Sequence, residues 1–109
     1  MKRKTVAYIA GKITGDPNYK AKFAEAQRAL EKHGYIVLNP SWMPQGLTNE
    51  QYMRMCLAMI DSADDVFMLD DWKDSEGARL EYDYCMYQRN SPVLLSEWLR
   101  GMDLIAQKR

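Results

Sequence analysis

A chain of 109 residues with 47% hydrophobic content has the size of one domain and can bury a core without a metal or disulfide staple. Its 15 basic and 15 acidic residues cancel, which argues against a protein whose main partner is a nucleic-acid backbone, since that shows as a basic excess or stripe. No apolar run approaches the roughly 20 residues of a membrane span. The basic start, Met1-Lys2-Arg3-Lys4, meets a polar glycine loop too soon for a signal-peptide core, so it reads as a solvated lead-in to a strand.

Residues 5–10 form a short β-rich run that ends at Gly11 and read as a buried first strand. In the turn GKITGDPNY, Asp16 is expected to cap a helix with Pro17 at its first position. Phe23, Ala26 and Leu30 recur at helical spacing, and His33-Gly34 ends that helix with a left-handed glycine. His33, the only histidine, is given no chemistry. Residues 35–38 make a second strand, closed by Asn39-Pro40 and the loop SWMPQGL.

Thr48 and Gln51 have the spacing of a capping box, with Leu47 and Tyr52 as its hydrophobic staple. Tyr52, Met55, Cys56, Met59 and Ile60 then mark the apolar stripe of a second helix. Residues 66–69 read as a third strand, flanked by Asp64-Asp65 and Asp70-Asp71. A third helix begins near Asp74 or Ser75, with Ala78, Tyr82, Cys85 and Met86 on one face and Ser91-Pro92 as its stop. Residues 93–95 make a fourth strand. Residues 96–107 make a last helix, with Trp98, Leu99, Met102 and Ile105 as its apolar side. Cys56 and Cys85 stand far apart at helical core positions, without CxxC spacing. They indicate core thiols, a reducing cytoplasmic setting, and neither metal nor disulfide.

Strand and helix alternate four times, with no repeat, linker or low-complexity stretch, so residues 1–109 form one domain. The expected architecture is an α/β three-layer sandwich of flavodoxin-like or Rossmann-like type. Its parallel sheet of about four strands, in order 2-1-3-4, has helices on both faces. In that order the switch point lies between strands one and three, where open α/β sheets bind ligands beyond the strand C-termini. Two segments then face a cleft: the loop after strand one, and the loop and helix after strand three.

The first segment is Gly11-Lys12-Ile13-Thr14-Gly15, whose two glycines let backbone N–H groups approach an anion. It matches neither a P-loop nor a GxGxxG dinucleotide fingerprint, and it lacks the Ser/Thr-rich phosphate turn of a flavin carrier. The same residues also read as a plain βα turn. The second segment runs from Asp70 to Glu81. Ser75 sits at a helix start, where free N–H groups and the dipole favour an anion. Glu81 lies six residues on, flanked by Ala78 and Cys85, so its carboxylate is semi-buried. It reads either as a reactive group or as the partner of Lys12, Arg79 or Arg89 in a structural ion pair. Six helical residues rise about 9 Å. With side chains leaning toward the helix start, an anion at Ser75 and an electrophile at Glu81 would stand about 6–8 Å apart, which suits a nucleoside 5′-phosphate. Tyr19, Trp42 and Trp72 lie in loops, where they either stack a base or pack the loop.

YIAGKITG after the first strand, DDVFML in the third and DSEGARLEYDY on the next helix resemble the nucleoside 2-deoxyribosyltransferase superfamily, above all its short members. More distantly they resemble the 2′-deoxynucleoside 5′-phosphate N-hydrolases. The likeness runs from Tyr8 to about Ser96 and is strongest from Asp65 to Glu81. It implies that Glu81 is the nucleophile attacking C1′, that Ser75 contacts a phosphate, and that Tyr8 and Gly11 line the site. It brings Lys12, Ile13, Gly15, Trp72 and Gly77, the first residue of the Gly-x-x-x-Glu stretch, among the substrate-binding positions. Ser96 falls in a stretch similar to one that reaches a neighbouring subunit's site. One position departs from the pattern: the acid that assists the leaving base is replaced by Leu57. Asp61 lies a turn further on, so Asp70 or Asp71 is the candidate substitute.

The resemblance implies hydrolysis or exchange of the N-glycosidic bond of a nucleoside or nucleotide, without cofactor or metal, by a homodimer or higher homo-oligomer. Leu57 supports a competing expectation, a non-catalytic nucleotide-binding module of the same fold. Neither a nucleic acid nor a membrane is expected as partner.

Overall fold

The computed structural model describes residues 4–108, so most of the basic lead-in lies outside the described residues. The elements alternate as β1 (Val6–Ala10), α1 (Tyr19–Lys32), β2 (Ile36–Leu38), α2 (Asn49–Ser62), β3 (Asp65–Met68), α3 (Glu76–Tyr87), β4 (Val93–Leu94) and α4 (Leu95–Gln107). Short 3-10 turns, Pro40–Trp42 and Trp72–Asp74, precede α2 and α3. The four strands are parallel in the order β2-β1-β3-β4, as the alternating pattern requires.

Side-chain alternation along the strands builds the two core layers. Ala7 and Ile9 of β1 join Phe67 and Leu69 beneath α1 and α4. Tyr8 and Ala10 join Val66 and Met68 beneath α2 and α3. Trp98 of α4 packs edge-on against His33, Tyr35 and Phe67. At the far end of the sheet, Asp64 Oδ2 accepts from the Val6 amide at 2.8 Å, and the Tyr35 hydroxyl donates to Asp65 Oδ2 at 2.7 Å. These acids pin the starts of the two central strands, away from the cleft edge.

The helix ends follow local chemistry. Gly34 adopts φ +89°, and the Tyr35 amide returns to the Leu30 carbonyl, which closes α1 as a Schellman turn. Both halves of the Thr48/Gln51 capping box form, at 3.1 and 2.9 Å. At the start of α1 the expected cap is absent. Asp16 instead accepts from the Asn18 amide at 2.9 Å and pairs with Lys22, so Pro17 lies in a turn and the helix begins at Tyr19. α3 ends at Tyr87, before the proline, because Arg89 turns left-handed (φ 59°) and the Asn90 amide takes the Cys85 carbonyl.

Three expected core positions are exposed: Met55, Met86 and Ile105. Met55 and Met86 fall on the outer edges of their helical stripes. Ile105 is exposed because α4, about 20 Å long, outruns a four-stranded sheet whose last strand is two residues. Leu104 is exposed beside it.

Just beyond β1, Gly11 lies hard against Leu69, the residue that follows β3. A Cβ there would stand 2.8 Å from Leu69 Cδ1 and 2.9 Å from Leu69 Cβ. Its small size is therefore required by packing at the switch point itself. Gly11→Ala should destabilise the domain by about 1–3 kcal/mol through overpacking, read as a lower urea midpoint with an unchanged slope. An unchanged midpoint would mean that Leu69 has room to move.

Candidate functional site

The strand order puts the topological switch point between β1 and β3, the edge where open α/β sheets bind ligands, and two loops meet there. Asp71, after β3, accepts from the Lys12 amide at 3.0 Å and from the Lys22 ammonium. Lys22 also donates to the Lys12 carbonyl at 2.8 Å and to Asp16 at 2.5 Å. One α1 lysine thus ties the first loop to the β3 loop. Burial opposes its charge, but Asp16 and Asp71 outweigh that cost and hold its pKa above the usual lysine value. Gly15 takes φ +83°, which lets the loop reverse beside this clamp. Ile13 turns to the α1/α4 layer and packs there.

On the other face, Ser75 caps α3 by accepting from the Ala78 amide at 3.1 Å. Its hydroxyl proton remains available, and the first-turn amides of α3 point at the same edge. Gly77 lies under α2: a Cβ there would meet Met53 Cε at 3.5 Å. One and a half turns further, Glu81 is 5% exposed and has no cationic partner among the described residues. Lys12, Arg79 and Arg89 do not pair with it. The Tyr8 hydroxyl, itself fully buried on the central strand, donates to Glu81 Oε2 at 2.8 Å.

The electrostatics follow from this burial. Desolvation raises the Glu81 carboxyl to about 7, against hydrogen bonds from Tyr8 and Cys56 that pull it down. Burial first, then the Glu81 charge, holds the Tyr8 hydroxyl well above the usual tyrosine range, so it stays a donor. The same two causes push the Cys56 thiol up to about 12 and the Cys85 thiol up to about 11. Both cysteines are free and buried. Among the described residues no cluster of His, Cys, Asp and Glu is arranged to hold a metal ion.

The remaining sequence candidates fall into two groups. Trp72 lies on the Glu81 side, stacked on Tyr82 at 4.5 Å, so part of its ring is already used in packing. Asp70 and Ser96 lie together on the opposite face, where the Ser96 hydroxyl donates to Asp70 Oδ1 at 2.7 Å. They line a cavity of about 290 Å³ with Lys22, Leu69, Leu95 and Leu99, between α1 and α4. A second cavity of about 460 Å³ lies by Gln27, Asn39 and the exposed Trp42. Glu81 lines neither. Leu57 is half-buried against the α2/α3 layer, and Asp61 is engaged by Tyr84 at 2.6 Å.

Sequence reasoning missed three neighbours of the site. The sequence marks Cys56 only as a core thiol, Tyr52 only as a staple and stripe residue, and Lys22 not at all. The signal for the first two is their place on α2 opposite the start of α3. For Lys22 it is the pair of acids, Asp16 and Asp71, at the mouths of the two loops.

The family model described as "Domain of unknown function (DUF4406)" matches residues 5–94, which takes in β1 through β4 and every site residue named above except Ser96. No curated protein matches the chain.

The Glu81 environment predicts a pH signature in stability. Its folded pKa, about 7, lies above the ordinary 4.5, so the fold favours the protonated form. The stability this group contributes is present below about pH 4.5 and is lost as pH rises through about 7, a change on the order of 3 kcal/mol. Tyr8, Tyr52, Cys56 and Cys85, which face it, all stay protonated across that window. Glu81→Gln should therefore gain stability over the native chain at pH 8 but not at pH 4, in paired denaturation curves. Parallel pH dependences for the two proteins would refute the assignment.

Proposed function

Because the chain belongs to the family described as Domain of unknown function (DUF4406), which names no activity, we propose its function from the site: hydrolysis or exchange of the N-glycosidic bond of a (deoxy)nucleoside 5′-phosphate, with Glu81 as nucleophile. The observation that carries this reading is a buried carboxylate with no cation beside it among the described residues, hydrogen-bonded by Tyr8 and set six residues beyond a serine-capped helix start. A glutamate at this depth is stable when paired with a cation, hydrogen-bonded or protonated, and Glu81 relies on the last two. A weakly solvated carboxyl with a pKa of about 7 is partly ionised at neutral pH and poised to attack. The likeness of DSEGARLEYDY to the deoxyribosyltransferase superfamily supports the same role.

The steps balance as a double displacement. A Glu81 carboxylate oxygen bonds to C1′ while the C1′–N bond breaks, and its electron pair leaves with the base. The base takes a proton from water, because Leu57 has none to give and Asp70 faces the other layer. Water, or a second base, then attacks C1′ and frees the carboxylate. The surplus proton of the attacking water, or the N–H proton of the attacking base, returns to solvent. The free first-turn amides and the Ser75 hydroxyl would hold the 5′-phosphate. Tyr8 is a positioning residue that fixes the carboxylate.

Leu57 supports the second reading, a nucleotide-binding module without turnover. The two readings separate in one experiment. Incubation with a panel of nucleoside 5′-monophosphates should release free base, with a rate that rises from pH 5 to pH 8 as Glu81 ionises, and Glu81→Ala should abolish it. Nucleotide-dependent thermal shifts without base release, unchanged in Glu81→Gln, would establish the binder and sink the enzyme.

The proposed enzyme is cytoplasmic, with Cys56 and Cys85 as thiols. Among the described residues no helix is long and apolar enough to cross a membrane. The exposed Leu104 and Ile105 on α4 support self-association. Light scattering should give at least a dimer mass, and Leu104→Asp with Ile105→Asp should reduce it. A monomer mass for the native chain would refute this.

A further inference from the structure

Tyr52 carries a buried hydroxyl that makes no hydrogen bond among the described residues. Its ring packs on the α2/α3 layer, and phenylalanine would fill that role as well. Burying a hydroxyl without a partner is unfavourable. Its polar neighbour is the Cys56 thiol, a weak partner that also interacts with Glu81 and Tyr8. Burial first, then Cys56, Glu81 and Tyr19, holds this hydroxyl far above the usual tyrosine range, so it stays protonated.

Its placement is fixed from two sides. The capping box seats the first turn of α2, where the Tyr52 amide bonds to the Thr48 carbonyl at 2.9 Å. Met53, the next residue, packs at the vacant Cβ position of Gly77 on the first turn of α3. The starts of α2 and α3 therefore meet, with Tyr52 on the same side of the sheet as Glu81 and close enough to feel its charge.

The chemistry of the attack says what such a donor meets. Natural nucleosides carry the base on the β face of the sugar, so a nucleophile displacing it enters from the α face. That face bears the 3′-hydroxyl, and the 2′-hydroxyl of ribosides. Given the glycosidic reading above, on which this assignment rests, we propose that Tyr52 is a specificity-determining residue whose hydroxyl, held in the protein only by the weak Cys56 thiol, donates a hydrogen bond to the 3′-hydroxyl of the sugar. The contact holds C1′ over the Glu81 carboxylate and favours nucleotides with an intact 3′-hydroxyl.

The test is a cycle between one protein hydroxyl and one substrate hydroxyl, using 2′-deoxynucleoside 5′-monophosphates and their 2′,3′-dideoxy counterparts. Tyr52→Phe should fold with an unchanged or higher melting temperature. On the 2′-deoxy substrates its kcat/KM for base release should fall about tenfold. On the dideoxy substrates, which lack the partner, native and variant proteins should be equal. Equal losses on both substrates, or no loss on either, would overturn the assignment while leaving Glu81 as nucleophile. If the native protein releases no base, the glycosidic reading fails. Titration calorimetry with the same nucleotide pairs then decides Tyr52 separately. A 3′-hydroxyl preference in affinity that Tyr52→Phe removes would uphold the contact, and its absence would refute it.

Discussion

The hydrogen bond from Tyr8 to Glu81 joins the central strand to the helix on its flank, and both partners are buried. A carboxyl in an apolar layer is tolerable only if it is neutral or well solvated by protein donors. Here a tyrosine whose pKa is held well above the usual range supplies the donor, and among the described residues no cation competes for the carboxylate. That arrangement keeps Glu81 near the midpoint of its titration at neutral pH. A lysine or arginine in the place of Tyr8 would have fixed the charge on the carboxylate. The site therefore depends on what β1 presents to its α2/α3 face.

The other face of the sheet is organised by ion pairs. Lys22 clamps the Gly11–Gly15 loop to Asp71, and Ser96 ties the start of α4 to Asp70. These contacts lie at the edge, partly in solvent, where each is individually weak. Together they position two loops at the switch point without adding charge to the layer that holds Glu81. Gly11 completes the arrangement by letting β1 close on Leu69.

Much of this was legible in the sequence, and the reasons are specific. Four strand–helix alternations gave the order 2-1-3-4, because parallel connections leave few alternatives. The burial of Glu81 followed from Ala78 three residues before it and Cys85 four after. What hydrogen-bonds it did not follow: Lys12, Arg79 and Arg89 were the candidate partners on the ion-pair reading, and the resemblance put Tyr8 at the site without pairing it to Glu81. The start of α1 was misjudged because Asp16 answers to Asn18 and Lys22, a tertiary choice invisible to a capping pattern. Met55, Met86 and Ile105 obey helical spacing and still lie outside, since periodicity gives a face but not how far a small sheet covers it.

An apolar residue at position 57 fits the same electrostatics. A second carboxyl beside Glu81, in a layer this dry, would raise the cost of ionising either one. Leu57 leaves Glu81 as the titrating group of its cluster, flanked by two tyrosines and two thiols that all hold their protons. Under the proposed chemistry this shifts the burden from protonating the base to placing the sugar. Catalysis would then rest on how well C1′ is held over one carboxylate, and it would favour bases that leave readily as anions. A donor such as the Tyr52 hydroxyl, aimed at the sugar rather than the base, is what that division of labour requires.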